Sequence, residues 1–231
     1  MLRYVRIATF AVALCAWMTF STSDSAAGTI IKLSLGNDTA ADVMYNGTTL
    51  STTNDGNGST PGDQNTSIDF TDFLSDQPDI LTPLASVSFG GLTPAGVATV
   101  FANTLVLQNF AGGTIELYDP SNVLLLSGDL GNSTLAGPLG PPATGALFTT
   151  SFSTVTGGSL KNRIAPGSLT FSMNLTSINS GAGLSVTGDL LNPFLADASL
   201  NIDGEIPEPT SALLTLLGCM SAAAAWRYGR G

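Results

Sequence analysis

Residues 170–176 read TFSMNLT. Phe171, Met173 and Leu175 fall on one side of an extended chain, and hydroxyls or an amide fall on the other. A period of two is the signature of a half-buried strand. The same alternation recurs at 29–35, with Ile31, Leu33 and Leu35 on the inner face, and at 86–89, 101–110 and 146–152. Lys32 lies on the opposite face from those three and is expected to be solvated.

Residues 114–118 and 123–127 flank Asp119-Pro120-Ser121-Asn122. Pro120 presets φ for a type I turn, Asp119 can bond the turn backbone, and Asn122 tolerates a left-handed conformation, so a hairpin is predicted. The unbroken Val123-Leu124-Leu125-Leu126 predicts a central strand buried on both faces. Breakers follow at Leu130-Gly131-Asn132-Ser133 and at Gly137-Pro138-Leu139-Gly140-Pro141-Pro142, the latter read as a loop that no central strand crosses. No interior stretch carries a helical period. Short strands with turn signals every ~8 to 12 residues predict an all-β domain over 28–205, an antiparallel β-sandwich or jelly-roll.

Composition narrows the function classes. Charged residues make up 10% of the chain, against roughly 25% in soluble domains. Residues 28–206 hold three bases against fifteen acids. Phosphate backbones demand several Lys or Arg, so nucleic acid is not an expected partner. There is no histidine, which excludes Ser-His-Asp and Cys-His nucleophile systems and every His-ligated metal site. Both cysteines, Cys15 and Cys219, lie in terminal apolar runs, so 28–205 has no thiol nucleophile, disulfide or thiolate metal site.

The N-terminus has the plan of a secretory signal helix over 1–27. Arg3 and Arg6 precede a 13-residue apolar run, Ala8 to Phe20, and Ser25-Ala26-Ala27 supplies small residues for signal peptidase, with cleavage expected after Ala27. Export through the Sec translocon follows. At the other end, Thr210 to Trp226 is seventeen uncharged residues, roughly 25 Å as a helix and at the short end of the ~17 to 25 needed to cross a bilayer. Trp226 and Tyr228 sit at an interfacial position, and Arg227 and Arg230 form a basic stop-transfer tail over 227–231. The positive-inside rule puts that tail in the cytoplasm and 28–206 outside, the topology the signal segment also requires.

Pro207-Glu208-Pro209, one apolar segment and a short Arg-containing end, over 206–231, resemble the PEP-CTERM sorting signal. Departures are small: the tail has two separated arginines, and Cys219 and Trp226 interrupt the usual Leu, Gly and Ala. The resemblance implies export by a Gram-negative bacterium, many such being makers of exopolysaccharide. It also implies an exosortase-type transpeptidase as partner, with Pro207, Glu208 and Pro209 read as substrate. The expected route is inner-membrane anchoring before processing, then the envelope surface or extracellular matrix. Family ectodomains vary, so no activity passes to 28–205.

Residues 51–66, STTNDGNGSTPGDQNT, are the longest low-hydrophobicity tract, expected to be a mobile loop or one ordered by what it binds. Asp55, Asn57 and Ser59 have the spacing that opens an EF-hand loop, but Thr60 stands where its glycine belongs and Thr66 where its closing Glu belongs. A looser calcium site using Asp55, Asn57 and Asp63 is the alternative to a solvated acidic loop; otherwise no cofactor is expected. None of the fifteen acids sits in a hydrolase motif, so no catalytic residue and no enzyme activity are expected. Both tryptophans are terminal, and Tyr45 and Tyr118 are the middle's only tyrosines beside nine phenylalanines, which argues against stacking on sugars but leaves polar contacts to polysaccharide open. The leading expectation is an exported surface protein with a structural or adhesive role. A calcium- or polysaccharide-binding module is the alternative, and a carboxylate-dependent hydrolase comes last.

Overall fold

The computed structural model describes residues 27–36, 40–57, 62–71, 74, 76–141, 145–164 and 169–205. Residues 1–26 of the expected signal helix (1–27), the Pro-Glu-Pro element, the apolar segment and the arginine tail lie outside them. No helix among the described residues is long and apolar enough to cross a membrane.

Alternation produces strands throughout. They are β1 (Ala27–Ser34), β2 (Val43–Tyr45), β3 (Leu50–Thr52), β4 (Asp63–Phe70), β5 (Ile80–Gly90), β6 (Thr93–Pro94), β7 (Thr99–Phe101) and β8 (Leu105–Ala111). Then come β9 (Thr114–Tyr118), β10 (Leu124–Pro138), β11 (Ala146–Gly157), β12 (Thr170–Thr176), β13 (Val186–Thr187), β14 (Leu190–Leu191) and β15 (Phe194–Glu205). In β12, Phe171, Met173 and Leu175 are buried, as their spacing requires. In β1, Ile31, Leu33 and Leu35 face inward, while Lys32 is exposed with Asp69 Oδ2 at 4.0 Å. Ile30 is buried too, because a bulge between Thr29 and Ile31 inserts it as an extra residue.

The all-β expectation holds, but the architecture is a closed barrel and not a sandwich or jelly-roll. Eight strands pair antiparallel in the ring β1-β4-β5-β9-β10-β11-β12-β15, and β15 returns to pair with β1. Alternation states which side chains point inward, and a sandwich and a barrel satisfy it equally. Closure lies in the pairing of Ala27 through Ser34 with Glu205 through Ser199, contacts between the two ends of the domain that no local period encodes.

The Asp119–Asn122 hairpin forms as predicted. Asp119 Oδ1 accepts the amides of Ser121 and Val123, both at 2.8 Å, and Asn122 has φ 62°. Leu125 and Leu126 are both buried, Leu125 as the extra residue of a register shift between Leu124 and Leu126, although Val123 at the turn is exposed. The breakers after them do not break the strand. β10 passes through Gly131-Asn132-Ser133 to Pro138, pairing first with β9 and then with β8 along the same edge. The glycine and asparagine serve as an irregularity that bends the wall. Neighbouring strands bend at the same level, β5 into β6 across Gly91 and β8 into β9 across Gly112-Gly113. Gly113 has φ +101°, and a Cβ there would lie 2.7 Å from Leu92 Cγ and 3.0 Å from the Gly90 carbonyl oxygen. The expected strand 101–110 is likewise a hairpin, because Ala102 and Asn103 take φ 49° and 56° and turn β7 into β8.

Two caps close the wall. At the end where β1 starts and β15 finishes, the tail end, Leu160, Ile164 and Leu169 from the β11–β12 connection are buried, and Arg163 meets Asp76 at 2.5 Å. At the far end the segment between β12 and β15 buries Ile178, Leu184 and Leu191, with Leu184 bridged to Leu139.

Inside runs a chain of six rings. Phe89 contacts Phe171 at 5.9 Å, Phe171 contacts Phe148 at 6.2 Å, and Phe148 contacts Phe110 at 6.2 Å. Tyr45 then touches both Phe110 and Phe194 at 5.7 Å. Their edge-on and tilted geometries suit the ring quadrupole. Phe148→Ala removes the middle link and is expected to lower the unfolding free energy by about 3–5 kcal/mol, measured by urea denaturation.

Candidate functional site

On one edge β15 carries two partners, β1 along Ser199–Glu205 and β2 along Phe194–Ala196. Between them lie Leu35-Gly36, just after β1, and Asp42, just before β2. A strand that loses its neighbour must satisfy its amides otherwise. Asp42 does this for β15: its Oδ2 accepts the Ala198 amide at 2.7 Å, its own amide donates to the Ala196 carbonyl, and its carbonyl accepts the Thr53 amide. The buried Asp63 acts alike at the start of β4, where Oδ2 accepts the Gly36 amide at 3.0 Å and the Thr66 hydroxyl at 2.6 Å. Gly36, at φ +52°, lies against this pair, and a Cβ there would run into Asp42 Oδ1.

Opposite stands the segment after β12. Ser177, Asn179 and Ser180 all adopt left-handed φ, at 52°, 48° and 56°. Such conformations cost non-glycine residues of order 1–3 kcal/mol each and persist only where the surroundings impose them. Asn179 supplies that constraint, accepting the Leu195 amide through Oδ1 at 3.1 Å and donating Nδ2 to the Gly183 carbonyl at 3.3 Å. The buried Ile178 anchors the segment below.

Between these two walls, floored by β15, is an open cleft of about 690 Å³ whose polar lining comes from Asp42, Ser177, Asn179, Ser180 and Asp197. No basic side chain lines it among the described residues. It therefore offers acceptors and hydroxyls, and suits a ligand rich in hydroxyl donors better than an anion. Asp42 and Asp197 are its two carboxylates among the described residues, and Asp42 already commits Oδ2 to the barrel wall.

The residues singled out from the sequence lie elsewhere. Asp55 Oδ1 accepts the Thr53 hydroxyl at 2.8 Å and the Asn57 amide at 3.0 Å, while Asp63 faces the wall at Gly36 and Thr66. Among the described residues no three acidic, His or Cys side chains gather as a metal set. The polar tract 51–66 is only partly loop: its ends are β3 and β4, and Asn54 Oδ1 accepts the Gln64 amide across it at 3.1 Å. Its ends form strands because Thr52, Thr66 and Asp63 are buried polar residues with hydrogen-bond partners. Ala27 opens β1, paired with Glu205, while Pro207, Glu208, Pro209, Arg227 and Arg230 fall outside the described residues. Asp42 and the 177–183 segment were not singled out from sequence. The run Ser-Ile-Asn-Ser-Gly-Ala-Gly, rich in residues that tolerate left-handed backbone, was the available signal.

Asp42→Ala strips the acceptor from the buried Ala198 amide and is expected to cost about 1–3 kcal/mol in urea unfolding. Asp42→Asn keeps a carbonyl oxygen there and is expected to cost less. No family model, curated protein or solved structure matches the chain, so the chemistry of the cleft rests on its own residues.

Proposed function

We propose that the chain is an exported, non-enzymatic surface or extracellular-matrix protein with a structural or adhesive role, sorted and processed at its C-terminus by an exosortase-type transpeptidase. The observation that carries this reading is the order of signals along the chain: basic-apolar-small at the start, then the β domain, Pro207-Glu208-Pro209, one apolar segment and two arginines. The Sec translocon and signal peptidase act first, with cleavage after Ala27, and the inner membrane holds the apolar segment until the sorting enzyme reads the prolines. The barrel is compatible with this route, because β15 ends at Glu205, two residues before Pro207. A protease cleft binds extended peptide, and prolines keep residues 206–209 from joining a helix. Glu208→Ala is expected to leave full-length precursor in the membrane fraction of the native host, seen by immunoblot and intact mass. Normal maturation of that variant would refute the assignment.

A second reading, a polysaccharide-binding module, is favoured by one observation, the cleft of hydroxyls and carboxylates beside strained backbone at Ser177–Ser180. Neutral oligosaccharide is expected to shift the amide resonances of Asn179 and Leu195, and unmoved resonances at millimolar sugar would remove this reading. The calcium alternative keeps only its sequence basis at Asp55, Asn57 and Asp63. In this cleft a hydrolase would draw one of its two carboxylates from Asp42, whose Oδ2 is engaged.

A further inference from the structure

The barrel's exterior is built from hydroxyls, amides and carboxylates over most of its circumference. One row, fixed by register, reads Asn109, Thr134, Thr149, Ser172, Asn201, Lys32 and Asp69 around seven strands. The next rows toward the far end differ. Leu147, Ala136 and Leu107 stand side by side on β11, β10 and β8, and Pro138, Leu105 and Phe101 do so on β10, β8 and β7. Phe101 is 50% exposed, Leu147 44% and Leu105 41%. Isolated apolar side chains on a surface are ordinary, whereas adjoining ones in register mark an interaction surface.

The patch ends at an open sheet edge. β7 pairs with β8 and with no other strand among the described residues. Edge strands are commonly blunted by Lys, Pro or a covering segment. Here Pro94 blunts β6, and the Asp189 carbonyl takes the Ala98 amide. Thr99-Val100-Phe101 carries no such device, and the exposed Val97 and Leu190 flank it.

Charge selects the occupant. The chain carries a net −10, yet no charged residue occurs between Asp79 and Glu116 or between Asp129 and Lys161, the stretches that supply β7, β8 and the apolar rows, and the exposed Asp189 stands only at their border. A basic partner would be drawn to the acid-rich residues 38–79. Two copies of an acidic chain repel each other, and the repulsion is least where they meet across a surface poor in charge. We propose that this flank is a homodimer interface in which β7 of one copy pairs antiparallel with β7 of a second about a two-fold axis at Val100. Such a contact is self-complementary, so one patch suffices for both partners. Antiparallel pairing centred on Val100 sets Thr99 of each copy opposite Phe101 of the other, and the rows through Leu105 and Leu107 extend the buried face on both sides.

The full chain in mild detergent, followed by analytical ultracentrifugation, tests this directly. The unaltered chain is expected to sediment as a dimer. Phe101→Glu places a buried acid at the interface and is expected to weaken the dimer about a hundredfold. Thr99→Lys combined with Phe101→Glu places Lys opposite Glu at both symmetric positions and is expected to restore it. Circular dichroism of each variant checks that the barrel is intact. A monomeric unaltered chain, a Phe101→Glu chain that dimerises normally, or a double variant that stays monomeric would overturn the proposal.

Discussion

Phe148 lies between Phe110 and Phe171, and through those contacts the barrel's two ends share one core. Phe89 and Phe171 belong to the strands that close the ring near the tails, whereas Tyr45, Phe110 and Phe194 belong to those surrounding the far end. Packing at near-crystalline density allows little slack, so the wall must follow the rings. The wall bends at Gly91, Gly112-Gly113 and Gly131. The strand partners change at the level where the backbone turns, and Gly113 lies so close to Leu92 that a side chain would force them apart.

The same change of partners accounts for the two buried acids. β15 runs past a gap between β1 and β2, and its amides there meet a side chain in place of a neighbouring strand. Asp42 closes one such gap and Asp63 another, each acting as a substitute carbonyl. Their placement makes the cleft as a by-product: Gly36 and Asp42 stand on one side, Asn179 holds a left-handed segment on the other, and the space between them stays open.

Local signals were legible in the sequence and distant ones were not. Alternation located β12 and the inner face of β1, because side-chain direction in a strand depends only on position parity. Asp119-Pro120-Ser121-Asn122 revealed its hairpin because the turn's hydrogen bonds are made within five residues. Gly131-Asn132 misled, since glycine and asparagine serve a bulge as well as a turn, and only the partner strands distinguish the two. Barrel closure and the role of Asp42 stayed hidden for one reason: Ala27 meets Glu205, and Asp42 meets Ala198, across most of the domain. The proposed sorting signal is a linear stretch, so the reading of it comes from sequence alone.

The pairing of Ala27 with Glu205 also sets how the domain bears load. Tension between its two termini would act across the β1–β15 ladder at its open end and part the hydrogen bonds one after another, as a zipper opens. Tension between Glu205 and a contact at the far end would act along β15, loading its bonds to β1, β12 and β2 together. A barrel tethered by its last strand and gripped at its opposite rim is thus pulled in shear, the direction in which a sheet is mechanically strongest.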